Sequence, residues 1–250
     1  MASQKHRGEN SFSGKVLASR VYPEFFSIRD GDTVLFAGCG RGEQVVSYGQ
    51  AGKKLFGVDV QEGRITEAHT RVTVAGIGNF EGVVANLELL PFPDKFFDKV
   101  IAVDVIQHVR NPEQALSELY RVLKSNGELL ITIPALQHYL LTALLHWRYL
   151  HLRGSAHLER GLRVSAHQWN PDAFNHNWPL SEWLHLLLGA GFRVARSHAT
   201  TLFPPLHRWG VPRFWFSNEF VHRMDWFLGG LPVLKRFGQA FMCVCRKRDT

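Results

Sequence analysis

Cysteine is scarce: Cys39, Cys243 and Cys245 are the only three in 250 residues. Three thiols cannot form a disulfide framework, so a small cross-linked scaffold is excluded and a reducing compartment is expected. Cys243 and Cys245 alternate along an apolar run with no Cys or His cluster to complete a metal site, so they read as small core residues sharing one strand face. Clean apolar runs are also missing. The longest stretch, Ala135–Leu152, is interrupted by Gln137, His138, His146, Arg148 and His151, and it is short for a span of roughly twenty apolar residues. The opening residues MASQKHRGENSFSGK are polar and lack the apolar centre of a signal peptide. A soluble, cytoplasmic protein is therefore expected. No internal repeat or low-complexity linker divides the chain, and a single domain over residues 1–250 is expected.

What is present is enough apolar material for a core, at 45% of residues, and a positive balance. Lys and Arg number 29 against 22 Asp and Glu, a formal charge of +7. That charge favours anionic partners: nucleic acid, acidic lipid headgroups or phosphorylated substrates.

The first half of the chain alternates between two hydrophobic periods. Thr33–Ala37, Lys54–Asp59, Glu81–Ala85, Phe97–Val103 and Glu128–Ile133 read as strands. Gly42–Gln50 and Ile65–Ala75 read as helices. Asn111-Pro112-Glu113 starts another helix, with Asn as N-cap, Pro in the first turn and an acid at the positive end of the dipole. Ser125-Asn126-Gly127 is expected to close it. Strict alternation of strand and helix predicts a Rossmann-like α/β fold, a doubly wound, mostly parallel sheet covered on both faces. Later, Leu180–Ala190 reads as a helix ending at Gly191, and Phe192–His198 and Phe241–Arg246 as late strands.

The chemistry concentrates in VLFAGCGRG, residues 34–42. Three glycines at alternate positions follow a strand, and Asp59 ends the next strand about twenty residues later, the spacing at which a carboxylate reaches ribose hydroxyls. A ligand containing adenosine is expected. A dinucleotide oxidoreductase would need G-x-G-x-x-G, whose third glycine falls on Glu43; an acid there repels a pyrophosphate. A glycine turn with no ligand role is the plainer alternative.

VLFAGCGRG, LFGVD and VVANLELLPFPDKFFDKVIAVDVIQHVRNPEQALSELYRVLKSNGELLITIP together resemble the class I S-adenosylmethionine-dependent methyltransferases, in the branch acting on small molecules and lipids. The resemblance is dense from Val34 to Pro134, and WPLSEWLHLLLGAGF resembles the family's late helix and strand. It implies a seven-stranded sheet with an antiparallel last strand and S-adenosylmethionine as cofactor. Residues 14–134 would form the cofactor-binding half, 135–178 an inserted helical lid, and 179–250 the late helix, strands and an aromatic-basic segment. By this resemblance Ala37, Gly38, Cys39 and Gly40 would wrap the methionine part, the glycines allowing close backbone approach. Asp59 would accept from the ribose hydroxyls, and Val60 would pack near the adenine. Asn86 stands where the family often has Asp, near the adenine amino group, and Leu87 would offer a backbone amide. Asp104 would face both cofactor and acceptor. No metal is implied. The departure is Phe36, where the family usually has an acid that positions the methionine end. Either another group receives the cofactor's ammonium, or affinity has fallen; a catalytically inactive cofactor-fold protein is thus an alternative.

Methyl transfer needs a nucleophile aligned with the activated methyl and, for some acceptors, a base. His108 is the base candidate, with Asp104 beside it; a structural role for His108 is the alternative. His167, His176 and Asn177 are further base candidates. Leu136–Leu152 reads as a lid over an oily acceptor or as a packing helix. Arg153, His157, Arg160, Arg163 and His167 form a basic run suited to a phosphate or headgroup. Trp209–Phe237 interleaves aromatics with cations, as segments at membrane surfaces do. These features favour a small-molecule, lipid-linked or glycan acceptor, with peripheral contact at the inner face of the membrane. RNA is the alternative acceptor, permitted by the charge and by aromatic stacking, but no Asn/Asp-Pro-Pro-Tyr/Phe or paired-cysteine signature supports base methylation.

Overall fold

The computed structural model describes residues 25–49, 54–134, 176, 178–200, 219–236, 238 and 240–248. Most of the expected lid, the basic run within it, and residues 209–218 and 237 of the aromatic stretch lie outside the described residues.

Seven strands form one sheet: β1 Thr33–Ala37, β2 Lys54–Asp59, β3 Phe80–Val84, β4 Phe97–Ala102, β5 Leu123–Pro134, β6 Phe192–Thr200 and β7 Ala240–Lys247. Their order is β3-β2-β1-β4-β5-β7-β6. Strands β1 to β5 are parallel, and β7 runs antiparallel between β5 and β6. This is the expected mostly parallel sheet with an antiparallel last strand. The chain builds outward from β1 through β2 to β3, then crosses to β4 on the other side of β1. The reversal of winding opens a crevice at the carboxyl ends of β1 and β4, where doubly wound sheets bind ligands.

The described helices are α1 Glu43–Tyr48, α2 Glu62–Val74, α3 Pro112–Val122, α4 Leu180–Gly189 and α5 Glu219–Gly230. Period-two alternation assigns the strand side chains to two cores. On β1, Leu35 and Ala37 join the cluster under α3 and α4, with Leu116, Leu119, Trp183 and Leu187. Val34 and Phe36 join the other, under α1 and α2, with Val45, Tyr48, Ile65 and Val72. Cys243 and Cys245 are buried on one face of β7, as their alternation predicted.

Several boundaries differ from expectation; α2 starts at Glu62 rather than Ile65, and β6 runs on to Thr200. Helix α1 stops at Tyr48, where Gly49 caps it by donating to Val45 O. Strand β5 begins at Leu123, directly after α3, and the Ser125-Asn126-Gly127 segment is not a terminator between elements. Pairing with β4 jumps from Phe97–Leu123 to Lys99–Glu128, so those residues bulge out of the ladder. Asn111 caps α3 as expected, its side-chain oxygen accepting from Gln114 N–H at 3.1 Å.

Helix α3 also fixes the loop after β3. Arg121 donates five hydrogen bonds: to both Glu118 carboxylate oxygens, to Asp94, and to the carbonyls of Leu90 and Phe92. Glu118 in turn accepts Leu90 N–H at 2.8 Å. Residues 90–94 are thereby clamped to the helix, over an aromatic cluster of Phe56, Phe92, Phe96 and Phe97. Arg121→Ala leaves the buried Glu118 without its partner and is expected to cost about 2–3 kcal/mol, read as a lower urea midpoint.

The hydrogen bond from Arg121 holds the Glu118 carboxyl below its ordinary value of 4.5; burial opposes this, and the Leu90 N–H and the charge of Arg121 add to it. A carboxyl depressed in the folded state contributes stability above the unfolded value and loses it as pH falls through the folded one. Urea midpoints taken from about pH 5 down to about pH 3 should therefore fall less steeply for Glu118→Gln than for the wild type.

Candidate functional site

Strand β1 ends at Ala37 and the chain turns through three left-handed glycines, Gly38 (φ +68°), Gly40 (φ +53°) and Gly42 (φ +81°). At Gly38 the need is steric as well: a Cβ there would lie 2.7 Å from Val105 Cβ, so the turn packs directly on the loop after β4. Cys39 N–H donates to Val58 O at 2.8 Å and carries the β1–β2 ladder one step into the turn. The Cys39 thiol is buried, and burial with the nearby Asp59 charge pushes it up to about 12. It is a neutral packing group, not a thiolate nucleophile.

Asp59 closes β2 and is only 7% exposed. Its Oδ2 accepts Gly40 N–H at 3.1 Å and its Oδ1 accepts Gln61 N–H at 3.0 Å, while an Arg64 guanidinium nitrogen lies 3.8 Å from Oδ2. The carboxylate is therefore oriented by backbone amides from two strand ends, and each oxygen retains capacity for a further donor. The next residue, Val60, is 61% exposed, an apolar side chain presented to solvent beside a fixed acceptor.

The remaining candidates surround this pair. Asn86, after β3, is exposed, and its Oδ1 already accepts Glu88 N–H at 3.0 Å in a tight turn. Leu87 is buried at 4% exposure. Glu88 ties the turn to the start of α3 by accepting Arg110 N–H and Asn111 N–H at 2.8 and 3.0 Å. Asp104, just past β4, has a left-handed backbone (φ +54°), unusual for a side chain larger than glycine. Its N–H donates to Thr132 Oγ at 2.8 Å and its Oδ1 accepts that hydroxyl at 3.2 Å. Such a backbone persists only where neighbours hold it, and Thr132 on β5 does so here.

His108 ends a short 3-10 turn, Ile106–His108, and is half-buried. Its Nε2 is 3.2 Å from Gln107 Nε2. His176, a further base candidate, is tied to the same loop. Its backbone N–H donates to Gln107 O and its Nε2 donates to Val109 O, both at 2.9 Å, and its ring lies 4.4 Å from that of Trp178. Committed to a carbonyl, that nitrogen props the loop carrying His108. His167 and Asn177 lie outside the described residues. No group of three or more metal-ligating side chains occurs among the described residues.

Arg64 and Thr132 contact the candidate residues Asp59 and Asp104, and Glu88 ties the turn carrying Asn86 to α3; the sequence did not single out these three. Arg64 leaves a faint signal, a cation in the first turns of the helix that follows Asp59. Glu88 and Thr132 leave none, because their partners are distant in sequence.

Phe36 is fully buried. It points away from the Leu35 side of β1 into the cluster with Phe26, Val45, Tyr48, Ile101 and Met242. The position is thus filled by a core side chain, in a layer where Phe26 and Tyr48 meet edge to face at 6.3 Å.

With this geometry in view, residues 35–131 match the methyltransferase domain family. The ubiquinone/menaquinone biosynthesis C-methyltransferase UbiE of Escherichia fergusonii is 37% identical over 126 residues, covering 48% of this chain and 50% of that protein. The chain spans about half the length of the curated relatives it matches. Among solved structures, a SAM-dependent methyltransferase from Aquifex aeolicus aligns with a TM-score of 0.51 and 23% identity, over 75% of this chain and 83% of that one. The magnesium protoporphyrin IX methyltransferase of Synechocystis, solved with bound SAH, gives 0.51 and 18%, over 88% and 75%. At these identities the structural likeness establishes the fold.

Phe36→Asp buries a carboxylate and removes aromatic packing, and is expected to destabilise by about 3–5 kcal/mol. Phe36→Leu should cost about 1 kcal/mol. Urea unfolding of both variants checks this; an Asp variant as stable as the wild type would place position 36 outside the core.

Proposed function

We propose that this chain, whose residues 35–131 carry a methyltransferase domain, binds S-adenosylmethionine at the carboxyl ends of β1 to β4 and methylates a small apolar acceptor. The observation that carries the reading is Asp59. A buried carboxylate held by Gly40 N–H and Gln61 N–H is a preset acceptor, suited to the two hydroxyls of a ribose. The exposed Val60 beside it suits the face of an adenine, with Asn86 and Leu87 on the neighbouring turn. The left-handed Gly38 and Gly40 leave backbone accessible where the methionine part would lie. The donor set and the absence of a Cβ at Gly38 and Gly40 fit this cofactor.

When bound, the cofactor supplies an activated methyl group. The chain's part is to bind, orient and exclude water. Asp59 fixes the nucleoside end. Asp104, braced by Thr132, and His108, braced through the loop held by His176, stand on the β4 side where an acceptor would enter. His108 is the group we assign to take a proton from the acceptor. We take the chain as a single domain spanning 1–250.

For the acceptor we favour a quinone-type or lipid-linked ring, supported by the similarity to ubiquinone/menaquinone C-methyltransferases, with glycan acceptors next in order. The buried Phe36 favours one second reading, a cofactor-binding protein without activity, because the family's usual acid is replaced by a core side chain.

Calorimetric titration with S-adenosylmethionine and S-adenosylhomocysteine, followed by labelled-methyl transfer to quinone-type, lipid and glycan acceptors, tests the proposal. Asp59→Ala is expected to lose about 2–3 kcal/mol of cofactor binding, roughly 30- to 150-fold. Unchanged affinity would remove Asp59 from the site. Binding without transfer to any acceptor would favour the inactive reading.

A further inference from the structure

Helix α5 has two unlike faces. Its inner face is fixed: Trp226 stacks on His198 with ring centroids 3.8 Å apart and meets Phe25 edge to face at 6.1 Å. Gly229 is buried against the Ala199 backbone, where a Cβ would not fit. The outer face carries Met224 and Phe227 at helical spacing, continued by Leu231, Val233 and Leu234 in the loop and short 3-10 turn that follow. All five are exposed, Phe227 to 68% and Val233 to 70%. Loop tips are ordinarily polar, so Gly-Leu-Pro-Val-Leu, residues 230–234, all exposed, has an unusual composition. Cations flank the stripe at Arg223, Lys235 and Arg236, and Asp225 is the only acid between Phe220 and Arg248.

We propose that this stripe docks the protein onto the surface of an anionic lipid bilayer. Apolar side chains flanked by cations match the chemistry of an acyl boundary beneath acidic headgroups. Among the described residues the stripe offers five exposed apolar side chains, fewer than the about 20–30 residues a side of a stable protein interface, whereas shallow insertion of a few side chains suffices at a membrane. The placement is also suitable. The segment leads into β7 at Ala240, which pairs with Pro134 and Thr200 at the carboxyl ends of β5 and β6. The stripe thus lies towards the same end of the sheet as the glycine turn, the end at which an acceptor drawn from a bilayer would arrive. The inference deepens the proposed preference for a lipid-linked acceptor, but it does not depend on cofactor binding.

The test is flotation of the full chain with phosphatidylcholine vesicles and with vesicles containing about a third phosphatidylglycerol. Wild type should float with the anionic vesicles, and raised salt should weaken the association. Phe227→Ser/Val233→Ser should reduce the floated fraction about tenfold, and Arg236→Glu should reduce the preference for anionic over neutral vesicles. Near-ultraviolet circular dichroism checks that the variants keep the Trp226 packing; if the serine pair unfolds, Phe227→Gln alone takes its place. Failure of the wild type to float, or equal flotation of folded variants, would overturn the proposal. So would a dimer in size exclusion that the serine pair converts to monomer, which would assign the stripe to a second copy. Failed flotation alongside intact cofactor titration would leave the methyltransferase reading standing.

Discussion

The site depends on one carboxylate held by two backbone amides. Gly40 N–H and Gln61 N–H come from the ends of β1 and β2, and they meet on Asp59. The Gly40 bond requires the left-handed turn, the turn requires glycine at 38 against Val105, and Val105 follows a β4 that pairs directly with β1. The parallel sheet therefore brings the glycine turn, Asp59 and the β4 loop into one place, and the left-handed glycines aim the amide. A side chain at position 38 would separate the turn from the β4 loop as well as narrow the site.

A second layer of fixed groups surrounds this centre. Thr132 holds Asp104 in its left-handed backbone, Glu88 joins the Asn86 turn to α3, and Arg121 clamps residues 90–94. His176 reaches back to the Gln107 and Val109 carbonyls. Each uses a polar side chain to satisfy backbone groups in loops that sheet pairing leaves unpaired. At the opposite end of the strands, Glu128 is shared by Lys99 and Arg246; burial works to raise its carboxyl, and the two cations outweigh it. The end of the sheet that carries Asp59 is glycine-rich, and the far end carries the Glu128 ion pairs.

Much of this is legible in the sequence. Strand and helix alternation disclosed the sheet, because a strand buried on both faces reads as a continuous apolar run, and β2 kept its expected limits. Asn111-Pro112-Glu113 marked the start of α3 through local chemistry. The glycine turn and Asp59 stood out because φ and spacing are local constraints. Long-range partners were not legible. Thr132 lies 28 residues from Asp104, and nothing in either neighbourhood announces the other. Ser125-Asn126-Gly127 carries a turn signal, but pairing of the flanking residues with β4 overrides it and leaves a bulge. His176 was chosen for its chemistry, and its hydrogen bond to a carbonyl gives it a supporting role. Phe36 shows the difference most clearly: at a position suited to an acid it looked like a defect of the site, yet strand alternation turns it into the core, where an aromatic ring is expected.

The most direct test of this account is hydrogen–deuterium exchange on the full chain with and without S-adenosylhomocysteine. The account predicts that added ligand slows exchange at residues 38–42 and 59–61, and in the turn after β3, while β6 and α5 exchange as before. Unchanged exchange at the glycine turn and around Asp59, with protection elsewhere or nowhere, would contradict it.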